Sequence, residues 1–160
     1  MAGKIETIWN ETKALLVAAQ ATGGTLSYIK QVYEGYRDNI PHECFPCLIL
    51  EPVLETDKVT RMPVHPELHV VINIHCLIEV YDPIYQIIGN DTLNIKGVMD
   101  IVADVKNVLW QNTNGVANLN GSCQDFSTLN VSYNFDKEIF PFRIGIIELD
   151  ARILTTQTGR

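Results

Sequence analysis

The sequence predicts an α+β fold, a mixed, mostly antiparallel sheet of long strands packed against two main helices in a single domain, and three observations predict it. Residues 67–81 and 140–154 form two apolar runs rich in β-branched side chains, each about twice the usual strand length. The N-terminal segment and residues 96–111 carry apolar side chains at helical rather than alternating spacing. At 160 residues the chain matches one domain, with no internal repeat, linker or composition shift to divide it.

The first element is a helix in which Ile5, Ile8, Trp9, Thr12, Leu15, Leu16 and Ala19 share a face and Gly23-Gly24 ends the run. Beyond the glycines, Leu26, Tyr28, Lys30 and Val32 alternate with Ser27, Ile29, Gln31 and Tyr33, which suits a short edge strand. The run Pro46 to Leu54 reads as a strand bracketed by prolines, and because proline donates nothing to a ladder it is expected at the sheet's periphery. Residues 55–66 are polar and lie between two strands, so they read as an extended hairpin arm in which Lys58 and Arg61 are the candidate contact residues.

In the first long run Val70, Ile72, Ile74, Cys76, Ile78 and Val80 fall on one face, with His69, Val71, Asn73, His75, Leu77, Glu79 and Tyr81 on the other. One apolar and one mixed face are expected of a sheet covered by helices on one side only. After Asp82-Pro83, Val98, Ile101, Val102, Val105, Val108 and Leu109 mark the second main helix, expected beside the first on the sheet. Residues 112–125 form an Asn/Gly-rich loop, and Leu129 to Phe135 alternates as a further strand. In the last run Ile144 and Ile146 belong to one phase, and Ile147, Leu149, Ala151 and Ile153 to the other, which predicts a bulge or bend near Gly145.

Twelve basic against nineteen acidic residues leave a net charge of −7 with no Lys/Arg block, which argues against binding nucleic acid through its phosphates. The N-terminus shows no apolar signal core and no stretch of 18 apolar residues occurs, so the expected site of synthesis and use is the cytoplasm, without a membrane. Four Asn-x-Ser/Thr sequons, at Asn10, Asn90, Asn120 and Asn130, are read as chance occurrences in an Asn- and Thr-rich chain.

Each candidate chemical motif has a plainer role. Cys44-Phe45-Pro46-Cys47 has redox spacing, but a redox pair opens a helix whose N-terminus lowers the thiol pKa, and here a strand follows. A zinc site from Cys44, Cys47, Cys76 and His75 fails because adjacent residues of one strand point to opposite faces. Glu148, Asp150 and Arg152 share a strand face, and this pattern reads as a charge ladder or interface rather than as a catalytic acid and base. No nucleophile elbow, phosphate-binding loop or zinc-protease motif occurs. The expectation is a protein that is not an enzyme and needs no cofactor or metal.

The order of elements carries more than any motif. An N-terminal helix, a strand near Gln31-Val32-Tyr33, a strand through Phe45-Pro46-Cys47-Leu48-Ile49, an arm, a long strand ending in Glu79-Val80-Tyr81, a helix, and a closing strand through Ile147-Glu148-Leu149-Asp150-Ala151-Arg152 resemble the tail terminator proteins of long-tailed bacteriophages, also called tail completion or head-to-tail joining proteins. The resemblance spans nearly the whole chain, with the Asn/Gly-rich loop and the cysteine pair as departures. It implies a hexameric ring that caps the tail tube at the head-proximal end of the virion tail, ends tail elongation and offers the head a docking surface, after assembly in the host cytoplasm. The implied partners are other copies of the chain, the tail tube protein and a head completion or connector protein, with DNA passing through unbound. Glu148 and Asp150 are then the candidate channel-facing acids, since like charge keeps passing phosphate from lodging. The alternatives are another ring component of the neck or tail tube, and a small α+β enzyme or ligand-binding protein.

Overall fold

The computed structural model describes residues 4–35, 37, 39–58, 67–79, 85–110, 119, 122–123, 125–134 and 142–154. Its elements are helix α1 (Lys4–Gln20), strand β1 (Gln31–Glu34), β2 (Cys47–Lys58), β3 (Glu67–Glu79), a single helical turn α2 (Tyr85–Ile88), helix α3 (Val98–Trp110), β4 (Asp125–Asn134) and β5 (Phe142–Leu154). The strands form one sheet in the order β1-β2-β3-β5-β4, in which only β1 and β2 run parallel. The chain is thus a single α+β domain with a mixed, mostly antiparallel sheet.

β3 and β5 form the spine. They pair without interruption from Glu67 opposite Leu154 to Glu79 opposite Phe142. One face of this spine carries Leu68, Val70, Ile72, Ile74, Cys76 and Ile78 from β3 and Ile147, Leu149, Ala151 and Ile153 from β5, all buried. α1 and α3 lie on that face, α1 contributing Ile8 and Leu16 and α3 contributing Val98, Ile101, Val102, Val105, Val108 and Leu109 to the same core. Leu119 and Cys123 drop into this core from between α3 and β4.

The unbroken pairing corrects the expected bend at Gly145. Gly145 is buried in the same phase as Ile147 and Leu149, and it lies under α3. A Cβ placed on it would come 2.6 Å from Val102 Cγ2 and 3.3 Å from Val98 Cγ2. The missing side chain therefore serves close helix packing, while Ile144 and Ile146 belong to the opposite face throughout.

Two irregularities fall elsewhere, in the strands flanking the spine. β2 shifts register between Pro52 and Leu54, and β4 shifts between Phe126 and Thr128. Their partners are Ile72/Val71 on β3 and Ala151/Asp150 on β5, so the bulges sit at nearly the same height in the sheet.

Three further boundaries differ from the sequence reading. Residues 26–29 form turns rather than strand, because Leu26 N–H donates to Ala19 O and Gln20 Nε2 to Ile29 O, tying the segment back to α1. β2 is not peripheral at its start, where β1 pairs with it from Cys47 to Leu50; the prolines remain consistent with ladder chemistry because Pro46 precedes the strand and Pro52 lies past the end of β1. β2 also runs on to Lys58 opposite Glu67, so the first four residues expected in the arm are paired strand, and residues 59–66 lie outside the described residues.

α3 opens with Asp100 Oδ2 accepting from Gly97 N–H at 2.9 Å, the reach-back half of a capping box. The turn after α1 is held to α3 by Tyr28, whose hydroxyl donates to Asp104 Oδ2 at 2.7 Å. Burial, and then this hydrogen bond, keep the Tyr28 phenol protonated far above the usual tyrosine range.

Gly145→Ala drives a methyl into Val102 and lowers stability by about 1–3 kcal/mol, the ordinary cost of overpacking. In a Val102→Ala background the same substitution costs less, a coupling that urea unfolding of the four variants measures.

Candidate functional site

The second face of the sheet is the chemically rich one, and its pattern follows from the register. One end is apolar: Cys47, Ile49, Leu77 and Ile144 form a small second core, capped by Tyr33, Ile40, Phe45 and Ile146. The Phe45 and Phe142 rings stack with centroids 4.9 Å apart. Past Ile49 and Ile146 the face becomes polar, with Glu51, Asn73, Glu148 and Asn130 in one row across four strands. Asp150 stands opposite Val71 in the following row, and His69 opposite Arg152 beyond it.

Diagonal contacts tie these rows together. His75 Nε2 lies 3.0 Å from Glu51 Oε2, and His69 Nδ1 lies 2.9 Å from Asp150 Oδ1, each carboxylate accepting from the imidazole. His42, in the short 3-10 turn His42–Cys44, pairs with Glu79 at the apolar end. The three histidines among the described residues are thus all paired with acids of this one face. Asn73 Oδ1 is buried with no hydrogen-bond partner among the described residues, and it sits between the Glu51 and Glu148 positions.

The sequence-predicted residues fall as follows. Glu148 and Asp150 do share the second face with Arg152, and all three are partly exposed. Asp150, however, is engaged by His69, which leaves Glu148 as the acid of this strand without an ion pair among the described residues. Lys58 is the last paired residue of β2, and Arg61 lies outside the described residues. His75 and Cys76 point to opposite faces, His75 toward Glu51 and Cys76 into the helix-side core. Cys47 is followed by strand, as the sequence indicated, and none of the four cysteines forms a disulfide.

Sequence reasoning placed His69, Asn73 and His75 on one face but missed Glu51 and the histidine–acid pairs. Periodicity gives the face of a strand, whereas the diagonal neighbour depends on register, which the sequence leaves open here.

The cysteine environments suit packing rather than chemistry. Burial, with a smaller contribution from Cys44, pushes the Cys47 thiol up to about 12, and burial raises Cys76 still further. The Tyr33 hydroxyl shares a hydrogen bond with Cys44, which, ahead of burial, raises Tyr33 to about 12. Among the described residues no group of three or more His, Cys, Asp or Glu is placed to hold a metal ion. Among the described residues no helix is long and apolar enough to cross a membrane. No family model matches the chain, and no curated protein does.

Two outcomes follow from the thiols. In the native protein iodoacetamide modifies Cys44 well before Cys47 or Cys76, which react only on unfolding; mass spectrometry of timed samples reads the order. Because the folded pKa values of Cys47 and Cys76 are raised, the stability they contribute is complete below the unfolded thiol value near 9 and is lost as pH rises toward 12. Each thiol lowers the folding constant about tenfold per pH unit in that window, and Cys47→Ala flattens the urea-midpoint profile there.

Proposed function

We propose that this protein is a structural, ring-forming component of a long-tailed phage virion, a tail terminator that closes the end of the tail tube, stops its growth and presents a surface to the head. The observation that carries the proposal is the one-sided sheet: α1 and α3 cover one face, while the other turns from an apolar end into a polar field of acids. A long-stranded sheet of that design suits a wall between two environments. The helix layer is the natural outside of such a ring, and the polar face its bore.

On this reading Glu51, Glu148 and Asp150 line the path of the DNA. Their charge, within a net of −7, opposes phosphate and lets the duplex slide. The histidine pairs hold Glu51 and Asp150 in place, and Glu148 supplies the freest negative charge. The work is done by surfaces, through contacts with further copies, the tube protein and a head-side connector.

Native mass measured over a range of concentrations, with negative-stain images, tests the proposal. Closed rings of six are expected; a monomer at every concentration overturns it, and open-ended stacked tubes move the assignment to the tube itself. Added to polymerising tube protein, the chain shortens the tubes in proportion to its amount.

Glu148→Lys reverses the charge at the freest acid and is expected to make the assembly retain duplex DNA in low salt and release it as salt rises. Retention no greater than that of the parent removes Glu148 from the bore.

A further inference from the structure

The ring leaves open which surfaces join one copy to the next. Resting on the ring reading above, we infer that each copy seats an apolar knob, the hairpin between α2 and α3, on the uncharged outer face of α1 of its neighbour. The knob carries Ile88, Leu93 and Met99, exposed at 63%, 57% and 41%, three of the seven large apolar side chains that the described residues expose. Single apolar residues are ordinary on a surface, whereas three within one short segment form a patch.

The knob is built stiff. Asn90 and Ile95 exchange backbone hydrogen bonds of 2.8 and 2.9 Å, and Asn90 Oδ1 accepts from Leu93 N–H at 3.1 Å. Asn94, in the left-handed region at φ 53°, donates its N–H to Asp91 O. At the base Gly97 presses on Gly89, so closely that a Cβ on Gly97 would lie 2.4 Å from Gly89 N. Leu93 is therefore held ready near the tip, and a preformed contact loses little conformational freedom on binding.

The receiving face is marked by what it lacks. From Ala14 to Ile29 the chain has no charged residue. The outer face of α1 there consists of Ala14, Val17 and Ala18, continued by Ala21, all exposed, where a solvated helix face ordinarily carries charge. Alanines around one valine leave a shallow surface on which larger side chains can seat.

Charge selects the pairing. Asp91 is the one charged residue from Pro83 to Ile95, and Lys30 is the first after the uncharged stretch. Both are exposed, and neither has an ion pair among the described residues. Leu26 N–H donates to Ala19 O and Gln20 Nε2 to Ile29 O, which keeps Lys30 beside the C-terminal end of α1. Knob against knob would bring Asp91 toward its own copy, and α1 against α1 would do the same for Lys30. Knob against α1 instead brings opposite charges together at the rim.

The two patches belong to different parts of the helix layer. α1 is held at β1, where Trp9 and Lys13 reach Glu34, whereas the knob leads into α3, which packs on β3 and β5. A contact between unlike patches is head-to-tail, and it consumes one of each per copy until the ring closes.

Mixing two variants tests the contact. Leu93→Asp spoils the knob and Val17→Asp spoils the α1 face; both side chains are exposed, so each variant is expected to keep the urea midpoint of the parent. By native mass each variant alone is expected to stay monomeric. An equimolar mixture is expected to give a heterodimer and nothing larger, since each copy keeps one intact patch. Asp91→Lys and Lys30→Glu, singly, are expected to raise the concentration of half-assembly about tenfold, and the double variant to return it close to that of the parent.

Rings formed by Leu93→Asp or by Val17→Asp alone overturn the docking while the ring reading stands, as does a mixture without heterodimer when the parent forms rings. Dimers of either variant alone overturn the head-to-tail order. A double charge variant no better than the single ones overturns the pairing of Asp91 with Lys30. A parent protein that is monomeric at all concentrations removes the ring reading and the docking together.

Discussion

The structure depends on the uninterrupted pairing of β3 with β5. Thirteen residues on each strand keep one register from end to end, so every second side chain of both strands is committed to the helix face and every other one to the opposite face. A slip of one residue would carry Ile72 and Ile74 out of the core and bring Asn73 and His75 in. The core under α1 and α3, the small second core and the acid-histidine field are consequences of that single alignment.

Once the register is set, the two faces can be specialised independently. The helix face is filled to contact, to the point that position 145 has no room for a methyl beneath Val98 and Val102. The other face tolerates carboxylates and imidazoles because each His–acid contact satisfies groups that the sheet would otherwise half bury unpaired. Stability and surface chemistry are thereby assigned to opposite sides of the same strands.

Much of the fold was legible because strong periodicity needs no tertiary context. The 3.6-residue pattern of Ile8, Thr12 and Leu16, that of Val98 to Leu109, and the alternation from Val70 to Ile78 all survive into the structure. The misreadings have a common source in contacts that no periodicity encodes. Tyr28 alternates as a strand residue would, but its hydroxyl reaches Asp104, seventy-six residues away, and that bond belongs to a turn. Gly145 was read as a bend because glycine has two uses in strands, and only the position of α3 distinguishes a bend from a close approach. The polar face was legible as a face, from His69, Asn73 and His75, but not as a set of pairs, since Glu51 is brought to His75 by a strand register the sequence does not announce.

The two bulges, at Val53 in β2 and Ser127 in β4, acquire a meaning from their common height. Each lengthens an outer strand by one residue against a regular inner one, and such an insertion bends and further twists the strand that carries it. A bend in both flanks at the same level, beside an unbroken β3–β5 pairing, favours a trough over a flat sheet. That tendency belongs to the backbone of the single chain, independent of anything that later rests against it.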